Sequence, residues 1–244
     1  MVVVMCLWLA GSLLAQQPPV HYWHQGSMPP GAIGSQQLQR GGPLPGFFQP
    51  VMIKAPPGVL VSPAEAGGFH ELSRAPVTVG LLIGQVYRFR VMNIPMNAGL
   101  EVFPTIEVID RLYAPQGQAQ RFPIVVQLTA EDLREALDGK FVTRVIYLED
   151  PQWAVPYQEP PEGQNWFDVG PGKDPLAIAD GLGRPVAILR LGARLPGDGG
   201  VPAMDFLFGC PPLVKYPSGE ASPRPPEPTP AEPVQQASLP AARR

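Results

Sequence analysis

The amino-acid sequence predicts a mainly β protein: an antiparallel β-sandwich, Ig-like or similar, with one short helix near residues 130–138 and proline-rich disordered ends. The stretch QVYRFRVMNI, residues 85–94, alternates apolar and polar side chains with a period of two, which is typical of a half-buried antiparallel strand. About eight strand-like segments follow one another without repeated β-α-β spacing. The chain has 34 prolines and 26 glycines among 244 residues, so few helices are expected. An open antiparallel sheet or a small barrel is the alternative.

The first predicted strands lie around a turn. In PVMIKAPPGVLVSPA, Val51–Lys54 and Val59–Ser62 are strand-like and a Pro-Pro-Gly turn separates them, with prolines at positions that sheet edges tolerate. PVTVGLLIG and QVYRFRVMNI then form strand, glycine turn and strand. The second of these strands has apolar side chains on one face and arginines on the other: Tyr87, Phe89 and Val91 against Arg88 and Arg90.

The segment GLEVFPTIEVIDRLY, residues 99–113, is also strand-like. Leu100, Val102, Ile106 and Val108 share one face of an extended chain. Pro104 lies within the segment and predicts a bulge or an edge position, because proline cannot donate a backbone hydrogen bond. The strand RFPIVVQL follows.

One helix is predicted, in TAEDLREALDG. Thr129 is a suitable N-cap, and Asp132 three residues later completes a variant of the capping box. Leu133 and Leu137 are four residues apart and form an apolar stripe. Gly139 supplies the left-handed residue that ends the helix. A helix of two to three turns is marginal alone, so it should dock on the sheet.

KFVTRVIYLE and RPVAILRLG predict the last two strands, with a proline-rich loop over residues 150–175 between them. The glycine-rich stretch GPGKDPLAIADGLGRP resembles a phosphate-binding loop only superficially. Its glycine and lysine spacing does not fit that motif, and Lys173 is followed by Asp174. The sequence therefore predicts a turn there.

Composition changes along the chain predict four regions. Residues 1–15, MVVVMCLWLAGSLLA, are uncharged and apolar and are predicted to be a signal peptide cleaved after Ala15, although an uncleaved anchor or a buried segment would also fit. Residues 16–46 are a Pro/Gly-rich irregular arm, and 47–210 form the β-sandwich domain. Residues 211–244, rich in proline, are predicted to be a disordered tail, since such a segment buries too little apolar surface to offset its ordering entropy.

The charge and the cysteines narrow the possible functions. A net charge of −3 lacks the basic footprint of nucleic-acid binding. Removal of the signal segment with Cys6 would leave only Cys210, which cannot form an intrachain disulfide and is interpreted as a half-buried small hydrophobic residue. An intermolecular disulfide or a reactive thiol is the alternative.

Carboxylates are the only candidates for catalysis. Glu101 and Glu107 would share a strand face with their Cα atoms about 20 Å apart, whereas a glycosidase pair needs about 5–9.5 Å. A pairing of Glu101, Glu107 or Asp110 with Glu149 or Asp150 from another strand is left open. The simpler interpretation places these carboxylates at the solvent-exposed rim of the domain, in salt bridges with Arg88, Arg90, Arg111 or Arg144. No catalytic residue is therefore assigned.

No metal or cofactor site is predicted. His21 and His24 have chelating spacing, yet two ligands are not a site, and His70 is distant in sequence. No histidine follows Cys210 as a blue-copper loop requires, and no G-x-S-x-G elbow marks a serine hydrolase.

Aromatic residues in the loop at 150–175 are the candidate binding residues. Exposed aromatic rings grip proteins or stack on sugars, because they bury a large area with little loss of entropy. They could equally attach the loop to the domain. The candidates are Trp153, Tyr157, Trp166 and Phe167.

Four phrases resemble a group of uncharacterised, hypothetical exported bacterial proteins with a β-rich domain. They are GAIGSQQLQRGGPLPGFFQPV, NIPMNAGLEVFPTIEVIDRL, DGKFVTRVIYLEDP and DGLGRPVAILRLG, and they span roughly residues 31–195. The resemblance implies export and a shared β-rich domain, and it implies no activity or site residues.

These observations predict an exported protein of the periplasm, cell envelope or extracellular space with a non-catalytic binding or structural role. The partner would be another envelope protein or a glycan, not a nucleic acid. Contact with a membrane is expected only through the signal segment, if it is not cleaved. Two alternatives remain open: an exported hydrolase or carbohydrate-active enzyme that gathers carboxylates from several strands, and a metal-binding module.

Overall fold

A computed structural model describes residues 28–69, 71–152, 154, 164, 166, 168–197 and 202–217. This part of the chain contains eleven strands and three α-helices, so the prediction of a mainly β protein is confirmed. In chain order the elements are α1 Ala32–Gln39, β1 Phe48–Lys54, β2 Leu60–Glu65, β3 Gly68–Phe69, β4 Ser73–Arg74, β5 Val77–Leu82, β6 Val86–Met92, β7 Thr105–Val108, β8 Ile124–Gln127, α2 Ala130–Leu137, β9 Val142–Glu149, α3 Pro175–Leu182, β10 Gly183–Leu191 and β11 Leu213–Lys215.

The strands form two sheets. The smaller has the order β11-β5-β1-β8, and the larger has the order β3-β2-β6-β7-β10-β9, with β4 also paired to β2. All pairs are antiparallel except β1 with β8, which run parallel, so the predicted purely antiparallel arrangement is wrong at this pair. Parallel neighbours need a long crossover, and the chain between β1 and β8 passes through the larger sheet.

One hydrophobic cluster joins the two sheets. It contains Val51 and Leu81 of the smaller sheet together with Phe89, Ile106 and Leu189 of the larger one, all at most 1% exposed. The inward side chains recur at every second position, as the period-two pattern predicts. Leu133 of α2 belongs to the same cluster, so the predicted helix docks on the sheets and its capping box with Thr129 and Asp132 is confirmed.

Two helices occur where the sequence predicted none. α1 lies in the region predicted to be an irregular arm, and α3 lies where a turn was predicted. α3 has the local signals of a helix start, because Asp174 accepts a hydrogen bond from the backbone of Leu176 at 2.9 Å and Pro175 occupies the first turn. The glycines around it obscure these signals.

α1 has no local cap. Gly31 stands at its N-cap position with φ of 91° and offers no side chain. The backbone N–H of Gly34 instead donates to Oε1 of Glu107, 73 residues away, at 2.9 Å. A carboxylate in this position also lies at the positive end of the helix dipole. The helix therefore depends on a tertiary contact, which no local sequence pattern reveals.

The folded part extends past both predicted boundaries. α1 belongs to the domain although the boundary was predicted at residue 46, and Ile33 within it is fully buried. β11 pairs with β5 beyond the predicted boundary at 210. The composition of β11 resembles that of the predicted disordered tail. Backbone pairing with β5 and an ion pair between Lys215 and Glu65, at 2.7 Å, nevertheless hold this strand in the domain. The predicted signal segment, and the tail after residue 217, lie outside the described residues.

Two details of the predicted strands are corrected. β6 is covered on both faces, because Arg88 is only 5% exposed beneath Phe206 and Phe208. Its guanidinium donates to the carbonyls of Phe206 and Phe103, and burial together with the charge of Arg194 lowers the pKa of Arg88 to about 10.

The segment containing Pro104 was predicted to form a bulge or an edge strand. It lies instead in the middle of the larger sheet, and the proline stands just before β7.

The hydroxyl of Tyr87 connects the domain to its last strand. It donates to the carbonyl of Pro212 at 2.8 Å and accepts from the backbone N–H of Leu82 at 2.9 Å. Burial raises the pKa of Tyr87 from 10.0 to about 12, and the Leu82 hydrogen bond opposes that rise. Since ionisation is disfavoured in the folded state, the stability due to this group is complete below pH 10 and is lost as the pH rises towards 12.

Alkaline titration of a Tyr216→Phe background, which removes the other described tyrosine whose pKa burial raises, should show a step near pH 12 from Tyr87 when it is followed by tyrosinate absorbance. The Tyr87→Phe variant should lack this late step, and its stability should fall less steeply at high pH. Tyr113→Phe is the control, because that ring is 68% exposed and its removal should leave the late step in place. A late step that persists in Tyr87→Phe would contradict the assignment.

Candidate functional site

β9 forms one edge of the larger sheet. β10 pairs along one side of it, and no other described strand pairs along its outer side. Its first six residues are half-buried and the last two are exposed. An open edge presents unpaired backbone donors and acceptors and is a template for an added strand.

An open groove of about 580 Å³ follows this edge. Its floor is β9, one wall comes from the junction of β8 with α2 at Gln127 and Thr129, and the other comes from α3 at Ile178. Large apolar side chains are exposed here, with Phe141 70% exposed, Trp166 46% and Leu148 40%. The combination of an open edge and exposed apolar side chains makes this groove the best candidate for partner binding.

Trp166 is held over Arg144 of β9. The guanidinium carbon lies 4.2 Å from the centre of the Trp166 ring. The guanidinium itself is fixed by three hydrogen bonds to the carboxylate of Asp132, at 2.6, 2.8 and 3.0 Å. Asp132 is also the capping-box residue at the start of α2. The first turn of α2 therefore fixes Asp132, Asp132 fixes Arg144, and Arg144 holds the partly exposed ring of Trp166.

The sequence-predicted aromatic residues are described only in part. Trp166 lines the groove and is half exposed, so both predicted roles, attachment of the loop and recognition, fit its geometry. Trp153, Tyr157 and Phe167 lie outside the described residues. Phe141 was not among the predicted binding residues, because the sequence pattern predicts it only as part of a strand. Its position beside a sheet edge depends on the order of the strands in the sheet, which the sequence pattern does not reveal.

Three of the five candidate carboxylates, Glu101, Glu107 and Asp110, are paired with arginines, and two of the three partners were not predicted. Glu101 pairs with Arg90, as expected, through two hydrogen bonds of 2.5 and 3.0 Å. Asp110 pairs with Arg184. Glu107 was predicted to lie at the rim, and this is wrong.

Glu107 is fully buried, because α1 covers its face of the sheet. Its Oε2 accepts from Nη1 of Arg190 at 2.8 Å while its Oε1 accepts from Gly34. Arg190 is 4% exposed, and its Nη2 has no hydrogen-bond partner. The two charges form a buried ion pair, which is strongly destabilised when one partner is removed.

These carboxylates do not come together at the groove. Glu149 lines it, and none of Glu101, Glu107 and Asp110 does. Glu101 instead lines a second, mostly apolar groove of about 450 Å³ beside Leu100 and Leu195. Glu149 therefore does not share this groove with Glu101, Glu107 or Asp110.

Metal binding has no candidate cluster among the residues that the structure describes: no group of three or more His, Cys, Asp or Glu side chains comes together there. His21, His24 and His70 lie outside those residues. Cys210 is partly buried next to the cluster of Phe103, Phe206 and Leu207, as predicted for a small hydrophobic residue.

A second group of aromatic and basic side chains lies beyond the end of β7. The Tyr113 ring has two guanidinium carbons close to its centre, Arg111 at 4.3 Å and Arg184 at 5.3 Å. Arg111 also lies 5.7 Å from the centre of the Phe47 ring. Arg184 is the cross-strand neighbour of Leu148, so this group adjoins one end of β9.

Comparison with models of known protein families, with curated proteins and with solved structures finds no match to this chain. Among the described residues, every helix is too short or too polar to cross a membrane.

Proposed function

We propose that the protein is a non-catalytic binding protein of the cell envelope or extracellular space, which binds a partner along the groove at β9. The observation that carries the proposal is the open edge of β9 with Phe141, Leu148 and Trp166 exposed beside it. Edge strands with exposed apolar side chains are aggregation-prone unless they are covered. A partner on this edge would therefore protect it from aggregation and also bury its exposed apolar side chains.

The fold in this proposal is a β-sandwich of the two sheets, with Ig-like packing as its more specific form. Support comes from the shared core between the sheets. Export is supported by the apolar segment at residues 1–15, which fits a signal peptide. A net charge of −3 favours a protein or glycan partner over a nucleic acid.

The non-catalytic role is supported by the ion pairs of the candidate carboxylates. Glu101, Glu107 and Asp110 are each neutralised by an arginine, and Glu107 has no access to solvent. A general acid or base must reach the substrate, whereas these groups hold strands and α1 together.

Site-specific photo-crosslinking in producing cells tests the groove. A photoreactive benzoylphenylalanine in place of Phe141 should give a defined adduct, and the same group in place of Met96, which is 100% exposed outside the groove, should not. Leu148→Asp should abolish the adduct, while Leu44→Asp, at a residue 56% exposed elsewhere, should leave it intact. Equal adducts from positions 141 and 96 would contradict the proposal.

Hydrogen exchange identifies the kind of partner. A polypeptide that adds a strand to β9 should slow exchange of its outward-facing amides after the partner binds, because these amides then donate to the partner's carbonyls. A glycan that contacts only the side chains should leave that exchange unchanged while still protecting Trp166 from oxidation.

A further inference from the structure

Arg111 holds a positive charge that the described residues do not neutralise. The neighbouring carboxylate of Asp110 accepts from Arg184 and, at 2.7 Å, from the backbone N–H of Arg111. Arg184 also donates to the carbonyl of Arg111 at 3.1 Å. Asp110 and Arg184 therefore balance each other, and the Arg111 guanidinium forms no ion pair or hydrogen bond with any described side chain. Its Nε is buried without an acceptor.

The two aromatic rings fix Arg111 without using its hydrogen-bond donors. Tyr113 and Phe47 lie 4.3 and 5.7 Å from its guanidinium carbon, and the side chain is partly buried. Contact with ring faces uses none of the N–H groups of the guanidinium, so the two Nη groups at its edge keep their donors for a ligand. An arginine that is already ordered loses little conformational entropy when it binds a ligand.

We propose that Arg111 is the central residue of an oxyanion-binding site, with Tyr113 as the ring that orients it. The ligand class is a carboxylate or phosphate group, which the fork binds through two parallel charge-assisted hydrogen bonds. Arg184 lies next to the site, held in place by Asp110, which balances its charge. The residues of this site do not line the groove at β9, although the site adjoins one end of that strand, and the proposal does not depend on the function proposed for the groove.

Calorimetric titration of the full chain at low ionic strength tests the site. The probes are sodium glucuronate, a sugar carboxylate, and inorganic phosphate, with sodium chloride as the reference salt. Arg111→Gln should weaken binding of the preferred probe by at least about tenfold. Arg194→Gln removes the same charge from an exposed position and should weaken it by less than about twofold.

Two further variants separate specific recognition from general charge. Arg111→Lys keeps the charge without the planar fork and should bind several times more weakly than the wild type. Tyr113→Leu keeps both arginines but releases the stack, and since Tyr113 is 68% exposed the chain should still fold. It should also bind more weakly. The probe that binds more tightly identifies the natural ligand as a carboxylate or a phosphate.

Several results would overturn the assignment. One is the absence of saturable binding of either probe below about 100 mM, which is weaker than any specific ion site requires. Another is equal weakening by Arg111→Gln and Arg194→Gln, since that would reflect only the net charge. Full binding by Arg111→Lys would also reject the site, because a point charge would then be sufficient.

Discussion

Glu107→Ala is expected to destabilise the protein by about 3–5 kcal/mol, far more than the loss of an exposed ion pair would. The carboxylate has two roles at once. It neutralises Arg190, which is 4% exposed, and it accepts the Gly34 N–H at the uncapped start of α1. Its removal leaves a buried charge without a partner and a helix start without an acceptor. Urea unfolding followed by circular dichroism measures the loss.

Glu101→Gln is the matched control for this prediction. Glu101 also pairs with an arginine, but both side chains are about 30% exposed, so loss of the pair should cost no more than about 1 kcal/mol. Comparable losses at positions 107 and 101 would show that burial does not govern the Glu107 pair.

A double replacement separates the charge from the shape. Glu107→Leu combined with Arg190→Met replaces both charges with apolar groups of similar size, and buried ion pairs replaced in this way often lose little stability. The double variant should therefore be clearly more stable than Glu107→Ala. If both variants fail to fold, the cap of α1 is the dominant role of Glu107, and Arg190→Met alone should then be tolerated better than Glu107→Ala.

Gly34→Ala is expected to cost about 1–3 kcal/mol through overpacking. An added Cβ would lie 2.7 Å from the backbone Cα of Gly84 and 3.4 Å from Oε1 of Glu107. A backbone atom cannot move aside as a side-chain end can, so α1 must shift away from the sheet and lengthen its bond to Glu107. This cost exceeds the gain of up to about 1 kcal/mol from replacing glycine by alanine within a helix.

Hydrogen exchange and unfolding together measure this effect. In Gly34→Ala, amides of α1 should exchange faster while those of β6 change less, since the helix detaches locally before the sheet opens. Ser35→Ala is the control, because Ser35 is exposed on the same helix and its replacement should change stability by less than about 0.5 kcal/mol. A Gly34→Ala variant as stable as Ser35→Ala would contradict the close contact between α1 and Gly84.

Sequence reasoning worked where the signal lies within a few residues. Period-two alternation predicted β6, strand-like segments between turns predicted β5, β9 and β10, and the Thr129–Asp132 capping box predicted α2. α3 also carries local signals in Asp174 and Pro175, but the glycine-rich composition around them favours a turn and masks the helix start. Among the candidate site residues, Trp166 is the one that the structure places at the groove.

What the sequence by itself determined is the mainly β character of the chain, its one amphipathic helix and most of its strands, because side-chain alternation and capping are properties of adjacent residues. Only the tertiary structure decided that α1 forms, that Glu107 is buried with Arg190, that β9 is an edge and that Arg111 is stacked on Tyr113. The reason is physical: each of these features depends on groups far apart in the chain or on the order of strands, and their energies come from burial and charge pairing that exist only after the sheets have assembled.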